Sequence, residues 1–233
     1  MTIREILNEA VKTKRESLGN AECRSILAEA GVPQNASSFA KTRDDALAAG
    51  ERIGYPVVLK VVSPQIVHKT EAGGVQLNIH SRAELGAAYD EMIRKVRASQ
   101  PAARVDGVTV DQQLGGVELI IGSTRDPQFG PLLMFGLGGI FVEVYKDVTF
   151  RLVPISKRDA LEMLEEVKGK PLYQGARGLP KASPAELAGI LLSVSKLVHA
   201  SPAIRELDLN PLVVTAEGVR AIDSRILVDL TTG

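Results

Sequence analysis

The chain has 233 residues, 28 basic against 28 acidic, 45% hydrophobic, with four Tyr, five Phe and no Trp, enough for one large domain or two coupled lobes around a real core. Zero net charge and few stacking platforms argue against nucleic acid as a partner. A lone Cys23 gives no disulfide framework, the start Met-Thr-Ile-Arg-Glu lacks a signal peptide's apolar core, and no apolar run approaches the roughly 18 residues of a membrane span, so a soluble cytoplasmic protein is expected.

Residues 2 to 18 place Ile3, Ile6, Leu7, Ala10 and Val11 at helical spacing, with Thr2 and Glu5 as a capping box. A short helix over Ala21 to Ala30 ends at Gly31, and Thr42 with Asp45 opens a third, closed by Gly54 and Pro56. Val57 to Val62 reads as a buried strand and Gly74 to His80 as a half-buried one. Ser81 and Glu84 cap a helix carrying Leu85, Tyr89, Met92, Ile93 and Val96 on one face. Val105 to Leu114 and Val117 to Ser123 are β-rich runs around Gly115-Gly116, a hairpin or a crossing between lobes, and the lobe boundary is placed there. A strand at Pro131 to Phe135, the loop Gly136-Leu137-Gly138-Gly139, a strand near Val148 to Ile155 and a helix opened by Ser156 and Asp159 follow. Ser183-Pro184-Ala185-Glu186 starts a helix to about Ala200, with proline at its first position and glutamate able to reach back to the cap. Ile204 to Thr215 and Gly218 to Ile226 form the last two strands. Helices and strands interleave without the even alternation of a doubly wound sheet, so the expected class is α+β in two lobes.

No P-loop occurs, Gly136-Leu137-Gly138-Gly139-Ile140-Phe141 lacks the last glycine of a dinucleotide fingerprint, and there is no zinc motif. Lys60 interrupts six otherwise apolar residues. In a strand covered on both faces it would need an anion such as phosphate; in a strand open on one face it would point into water. The next loop, Val67-His68-Lys69-Thr70-Glu71-Ala72-Gly73-Gly74, has paired glycines that admit close backbone approach, and its N–H groups with Lys69 can wrap phosphate oxygens. Asp208, Asn210 and Asp223 would share a face if the last two strands pair; three oxygen donors suit Mg2+, and turn and edge chemistry is the alternative. His68, beside that loop, is either a bystander or a phosphoryl acceptor, since a neutral imidazole is a competent nucleophile.

Taken together these segments resemble a known family. Tyr55-Pro56-Val57-Val58-Leu59-Lys60-Val61-Val62-Ser63-Pro64-Gln65-Ile66-Val67-His68-Lys69-Thr70-Glu71-Ala72-Gly73-Gly74-Val75 is similar to the ATP-grasp domain of NDP-forming acyl-CoA synthetases, relatives of succinyl-CoA synthetase. So are Ile26 to Pro33, Gly138 to Glu143 with Asp147 to Leu152, and Glu206-Leu207-Asp208-Leu209-Asn210-Pro211-Leu212. The resemblance implies an ATP-grasp fold (α+β, or α/β by some schemes) over residues 1–233, with an N-terminal helix near 2–18, lobe one near 20–113, lobe two near 114–233 and the nucleotide cleft between the lobes. It implies the beta subunit of an acetate-CoA ligase (ADP-forming) type enzyme, active only with a CoA-binding alpha subunit and using ATP or ADP with Mg2+. In that family His68 matches the histidine relaying a phosphoryl group to ADP, Lys60 the phosphate-binding lysine, and Lys69 to Gly74 the lid over the phosphates. Asp111, Gln112, Gln113 and Leu114 resemble the hinge that holds adenine through backbone groups, and Glu118 the ribose-binding carboxylate. Asn210 and Asp223 match the Mg2+ ligands, Asp208 a metal-site or histidine-orienting carboxylate, and Arg151 a guanidinium facing the phosphates. A carboxylate-amine ligase and a non-catalytic nucleotide-binding regulatory subunit are the competing readings; the first has no use for His68, and the second none for an intact Lys60, Asn210 and Asp223 set.

Overall fold

The computed structural model describes residues 1–66, 69–139 and 147–231. The chain opens with α1 (Ile3–Lys12) and α2 (Asn20–Glu29). Thr2 accepts from Glu5 N while Glu5 accepts from Thr2 N at 2.9 Å, the reciprocal capping that the sequence predicts. Gly31, with φ of +77°, turns the chain away after α2.

Two compact units follow from the contacts, one of Met1–Gln34 with Leu114–Gly233 and one of Asn35–Gln113. Residues 20–34 therefore go with the C-terminal part and not with lobe one as expected. Packing decides this, because Cys23, Ile26, Leu27 and Val32 are buried in the same core as Leu187, Leu207 and Ile226.

The unit Asn35–Gln113 runs β1 (Ser37–Ala40), α3 (Arg43–Ile53), β2 (Val57–Val62), β3 (Val75–Ile79), α4 (Arg82–Ser99) and β4 (Gly107–Gln112). Its sheet is antiparallel in the order β1-β4-β2-β3. One face is apolar: Val57, Leu59, Val61, Val108 and Val110 pack with Leu47, Leu85, Met92 and Val96 of the two helices. Burial of such a side chain contributes about 1.5–3 kcal/mol, and this face fixes the register of every strand. Lys60, at the alternate position, therefore belongs to the other face.

The larger unit adds β5 (Val117–Asp126), β6 (Gly130–Leu137), β7 (Val148–Leu152), α5 (Lys157–Glu166), α6 (Lys170–Tyr173), a 3-10 turn (Ala176–Gly178), α7 (Pro184–Ala200), β8 (Ile204–Thr215), β9 (Gly218–Ala221) and β10 (Ser224–Val228). Its sheet runs β10-β8-β5-β6-β7, with β9 also on β8, all antiparallel. Leu119, Ile121, Leu133, Phe135, Leu207, Leu209 and Ile226 face a core shared with α5, α7 and the opening helices. Because β4 and β5 belong to different sheets, Gly115-Gly116 marks a crossing and not a hairpin. The run Gly218 to Ile226 is two strands interrupted at Ile222-Asp223. Pro184 opens α7 as expected, but Ser183 makes no side-chain cap; Glu186 accepts instead from Val219 N at 2.8 Å and ties α7 to β9. Among the described residues no helix is long and apolar enough to cross a membrane.

Candidate active site

In the unit Asn35–Gln113, β2 delivers Lys60 to the face opposite the apolar core. Its Nζ lies 3.2 Å from Asp111 Oδ2, with side-chain exposures of 15% and 5%. The anion that the sequence reading requires beside Lys60 is thus supplied within the fold, by a carboxylate. The loop leading into β3 is fastened next to this lysine: Val61 N donates to Gly74 O at 2.8 Å, Gly74 N to Lys69 O at 2.7 Å and Gly73 N to Thr70 O at 3.1 Å. Both glycines are required there. Gly73 has φ of +71°, and a Cβ on Gly74 would collide with the Val61 side chain. Lys69 is half-buried on the same loop. Val67 and His68 lie outside the described residues, and with them the relay expectation.

Asp111 and Gln112 belong to β4, with Gln113 following it. Asp111 is flanked on both sides, by Ser37 and by Val58. Gln112 N donates to Ala36 O at 2.7 Å, Gln112 O accepts from Asn35 Nδ2 at 2.9 Å, and Gln113 N donates to Pro56 O at 3.1 Å. Several of the backbone groups assigned to adenine are therefore engaged within the sheet. The Gln113 side chain is engaged too, exchanging hydrogen bonds with Asn78 at 2.6 and 2.7 Å. The division between the units falls between Gln113 and Leu114, where the hinge is expected.

In the larger unit, alternation along β5 puts Glu118, Gly122 and Thr124 on the face away from the core. The register then builds one row across the sheet: Arg225 opposite Asp208, Asp208 opposite Gly122, Gly122 opposite Met134, Met134 opposite Phe150. These five line a groove of about 280 Å3, polar at one end and apolar at the other. Burial raises the Asp208 carboxyl above the usual carboxylate range; Arg225 pulls it back down, while Asp223 and Glu206 push it up. Asn210 follows on β8 and is exposed. Its N–H donates to Asp223 O at 3.3 Å, and the Asp223 carboxylate accepts from Ser224 N at 2.8 Å. Glu118 is exposed and its carbonyl accepts from Gly138 N at 2.8 Å, with Gly139 close against its carboxylate. The structure thus brings Asp208, Asn210 and Asp223 together and places Glu118 on the same face of the sheet.

Arg151 is elsewhere. It pairs in register with Leu133, a fully buried core residue, so it lies on the helix-covered side while its neighbour Phe150 lines the groove. Its guanidinium contacts Glu166 of α5 at 2.5 and 3.0 Å, and Thr149 joins the same carboxylate at 2.5 Å. That contact holds the Glu166 carboxyl below the usual carboxylate range. Period-two alternation in β7 explains the difference: a guanidinium two residues from the core-facing Thr149 shares its side.

Asn210 and Asp223 offer oxygen donors alone, the chemistry Mg2+ takes, and a cation that keeps waters and shares phosphates needs few protein ligands. Among the described residues no group of three or more His, Cys, Asp or Glu side chains gathers as a metal cage. Sequence reasoning missed the Lys60 to Asp111 pair and the contact from Ser37, because β1 has no alternation to announce it.

A family model described as ATP-grasp domain matches residues 9–228. The chain is 42% identical over 226 residues to acetate–CoA ligase (ADP-forming) I subunit beta of Pyrococcus furiosus, covering 97% of each. Among solved structures it is similar to acetyl-coenzyme A synthetase 1 of Ca. Korarchaeum cryptofilum in complex with coenzyme A and Ca-AMPCP, with a TM-score of 0.91, 40% identity and coverage of 97% and 99%. It is also similar to that enzyme in complex with coenzyme A and Mg-AMPPCP, its phosphohistidine segment pointing towards the nucleotide binding site, with a TM-score of 0.84, 37% identity and coverage of 97% and 100%. With the antiparallel sheets, the lysine beside a glycine loop and the Asp-Leu-Asn-Pro-Leu strand in place, this chain belongs to the ATP-grasp family, in its group of ADP-forming acyl-CoA ligase beta subunits.

Proposed function

We propose that the chain is the nucleotide-binding subunit of an ADP-forming acyl-CoA synthetase, interconverting acyl-CoA, ADP and phosphate with acid, CoA and ATP together with a CoA-binding partner subunit. The observation that carries this reading is Lys60 standing beside the Lys69 to Gly74 loop in a chain that aligns end to end with an ADP-forming ligase subunit. Lys60 and Lys69 bind phosphate oxygens, and Gly73-Gly74 give the loop the tight return that carries Lys69. Glu118 takes the ribose hydroxyls. Asn210 and Asp223 hold Mg2+, which supplies charge neutralisation at the phosphates. His68 carries the phosphoryl group: its ring nitrogen gives up the N–P bond as an ADP oxygen forms the new O–P bond, and the imidazole returns neutral. Lys60 supports that transfer by positioning and by fixed charge, the two contributions phosphoryl transfer uses most.

The purified chain should bind Mg-ADP in calorimetry yet form no ATP from acyl-CoA, ADP and phosphate, and addition of the CoA-binding subunit should start ATP formation. Turnover by the chain alone, or absence of nucleotide binding, would overturn the assignment.

A further inference from the structure

Lys60 and Asp111 are joined to a third residue on a neighbouring strand. Asp111 Oδ2 faces Lys60 Nζ at 3.2 Å, while Asp111 Oδ1 accepts from Ser37 Oγ at 2.5 Å. Ser37 is directly opposite Asp111 on β1, and Lys60, opposite Thr109, is diagonal to Asp111 on β2. Three adjacent strands therefore carry Ser37, Asp111 and Lys60 as a line in which each carboxylate oxygen has its own partner. Asp111 is 3% exposed and sits in the middle of the sheet, so its direction is set by the strands as well as by Ser37.

A nearly buried ion pair is a poor device for stability, since desolvation of both groups offsets most of the attraction. It is a good device for direction. A lysine ammonium rides on a flexible four-carbon stem and loses that freedom whenever it must meet a ligand at one point. A carboxylate that is already oriented by a hydroxyl confines the stem before the ligand arrives.

We infer that Asp111 is a positioning residue, whose carboxylate, aligned by Ser37, holds the Lys60 ammonium where it meets the nucleotide phosphate. The inference rests on the phosphate-binding reading of Lys60. It gives Asp111 a side-chain role in place of the adenine contact through backbone expected from sequence.

A double-mutant cycle on the complete two-subunit enzyme tests it. Asp111→Asn keeps the shape and the acceptor for Ser37 but removes the charge, and should lower kcat for ATP formation by about ten- to hundredfold, as a displaced catalytic group does. In the Lys60→Ala background the same change should have little further effect on kcat, within about twofold, and should strengthen Mg-ADP binding by removing a carboxylate from beside the phosphates. Ser37→Ala, which leaves the charge in place, should lower kcat several-fold, less than Asp111→Asn does, because Lys60 keeps its carboxylate and only the alignment of that carboxylate is lost. It serves as the second probe if Asp111→Asn fails to fold. Equal losses from Asp111→Asn in both backgrounds would mean a merely structural residue and would overturn the inference. So would unchanged kcat in Asp111→Asn, or in Ser37→Ala if Asp111→Asn does not fold, while Lys60→Ala is impaired, and the phosphate reading would then stand. Full activity of Lys60→Ala would remove that reading and the inference with it.

Discussion

Lys60 carries a charge through Val57-Val58-Leu59 and Val61-Val62 because alternation turns it to the face away from the apolar core and Asp111 answers it there. Its replacement by Ala should cost a charge-assisted phosphate contact of about 1.5–3 kcal/mol, read by calorimetry as roughly ten- to hundredfold weaker ADP binding. Asn210→Ala and Asp223→Ala should behave differently. Each should bring Mg-ADP affinity down towards the metal-free value and leave the metal-free value as it was; equal losses with and without Mg2+ would exclude a cation-holding role. His68→Asn keeps polarity but has no ring nitrogen to carry phosphate, so it should abolish acyl-CoA-driven ATP formation with nucleotide affinity intact, and near-normal synthesis would exclude a relay at that residue. Cys23 offers a simpler check. Burial, opposed by nearby backbone groups, pushes its thiol up to about 12, so a thiol reagent at pH 8 should modify it only after the protein is unfolded.

The turn from α1 to α2 depends on Glu22, which accepts from Arg15 through both oxygens at 2.9 Å and from Gly19 N at 2.7 Å. The Arg15 guanidinium, opposed by partial burial, lowers the Glu22 carboxyl from its ordinary 4.5. A depressed folded pKa means that the unfolded chain holds the proton more tightly, so the contribution is complete above pH 4.5 and disappears as pH falls through the lower folded value. With both side chains partly exposed, Glu22→Gln should cost only about 1 kcal/mol at pH 7, and denaturant midpoints of the two proteins should converge in acid. Caps of this local kind were the most legible part of the sequence: Thr2 with Glu5, Thr42 with Asp45 and Ser156 with Asp159 all form as reciprocal boxes. Pairings between distant segments were not. The short run Ser37-Ser38-Phe39-Ala40 becomes β1 because β4 offers it a partner, and Glu186 accepts from Val219 N, a donor that β9 supplies from more than thirty residues away. The candidate site shows the same limit. Spacing along β8 placed Asp208 and Asn210 on one face, whereas the side of the sheet taken by Arg151 follows from the register of β7 against β6, which no single segment contains.

Among the described residues the two cores share no buried side chain: one gathers around Leu59, Leu85, Met92 and Val110, the other around Ile121, Phe135, Leu191 and Leu209. The smaller unit is a single uninterrupted stretch of chain, Asn35–Gln113, and its first and last strands are neighbours, with Ser37 opposite Asp111 and Ala40 opposite Val108. Asn35 and Ala36 are bonded to Gln112 at that junction, so the chain enters and leaves at one point. The larger unit is made of two pieces, and it rejoins them through β9, where Ala221 N donates to Pro33 O at 2.9 Å. This is the geometry of an insertion, which a host tolerates because the ends of the inserted stretch are close. Residues 35–113 expressed alone should therefore fold, with cooperative thermal unfolding and dispersed amide resonances, though a core of this size supplies only about 3–5 kcal/mol. Residues 1–34 joined to 114–233 by a short Gly-Ser linker should fold as well. Leu85→Ala, a fully buried change costing about 2–5 kcal/mol, should unfold the fragment, and in the intact chain should lower the transition of the smaller unit ahead of the larger one. A fragment with helical signal but no cooperative transition would show that the core around Leu59 and Leu85 is completed by the rest of the chain, and that the two units fold as one.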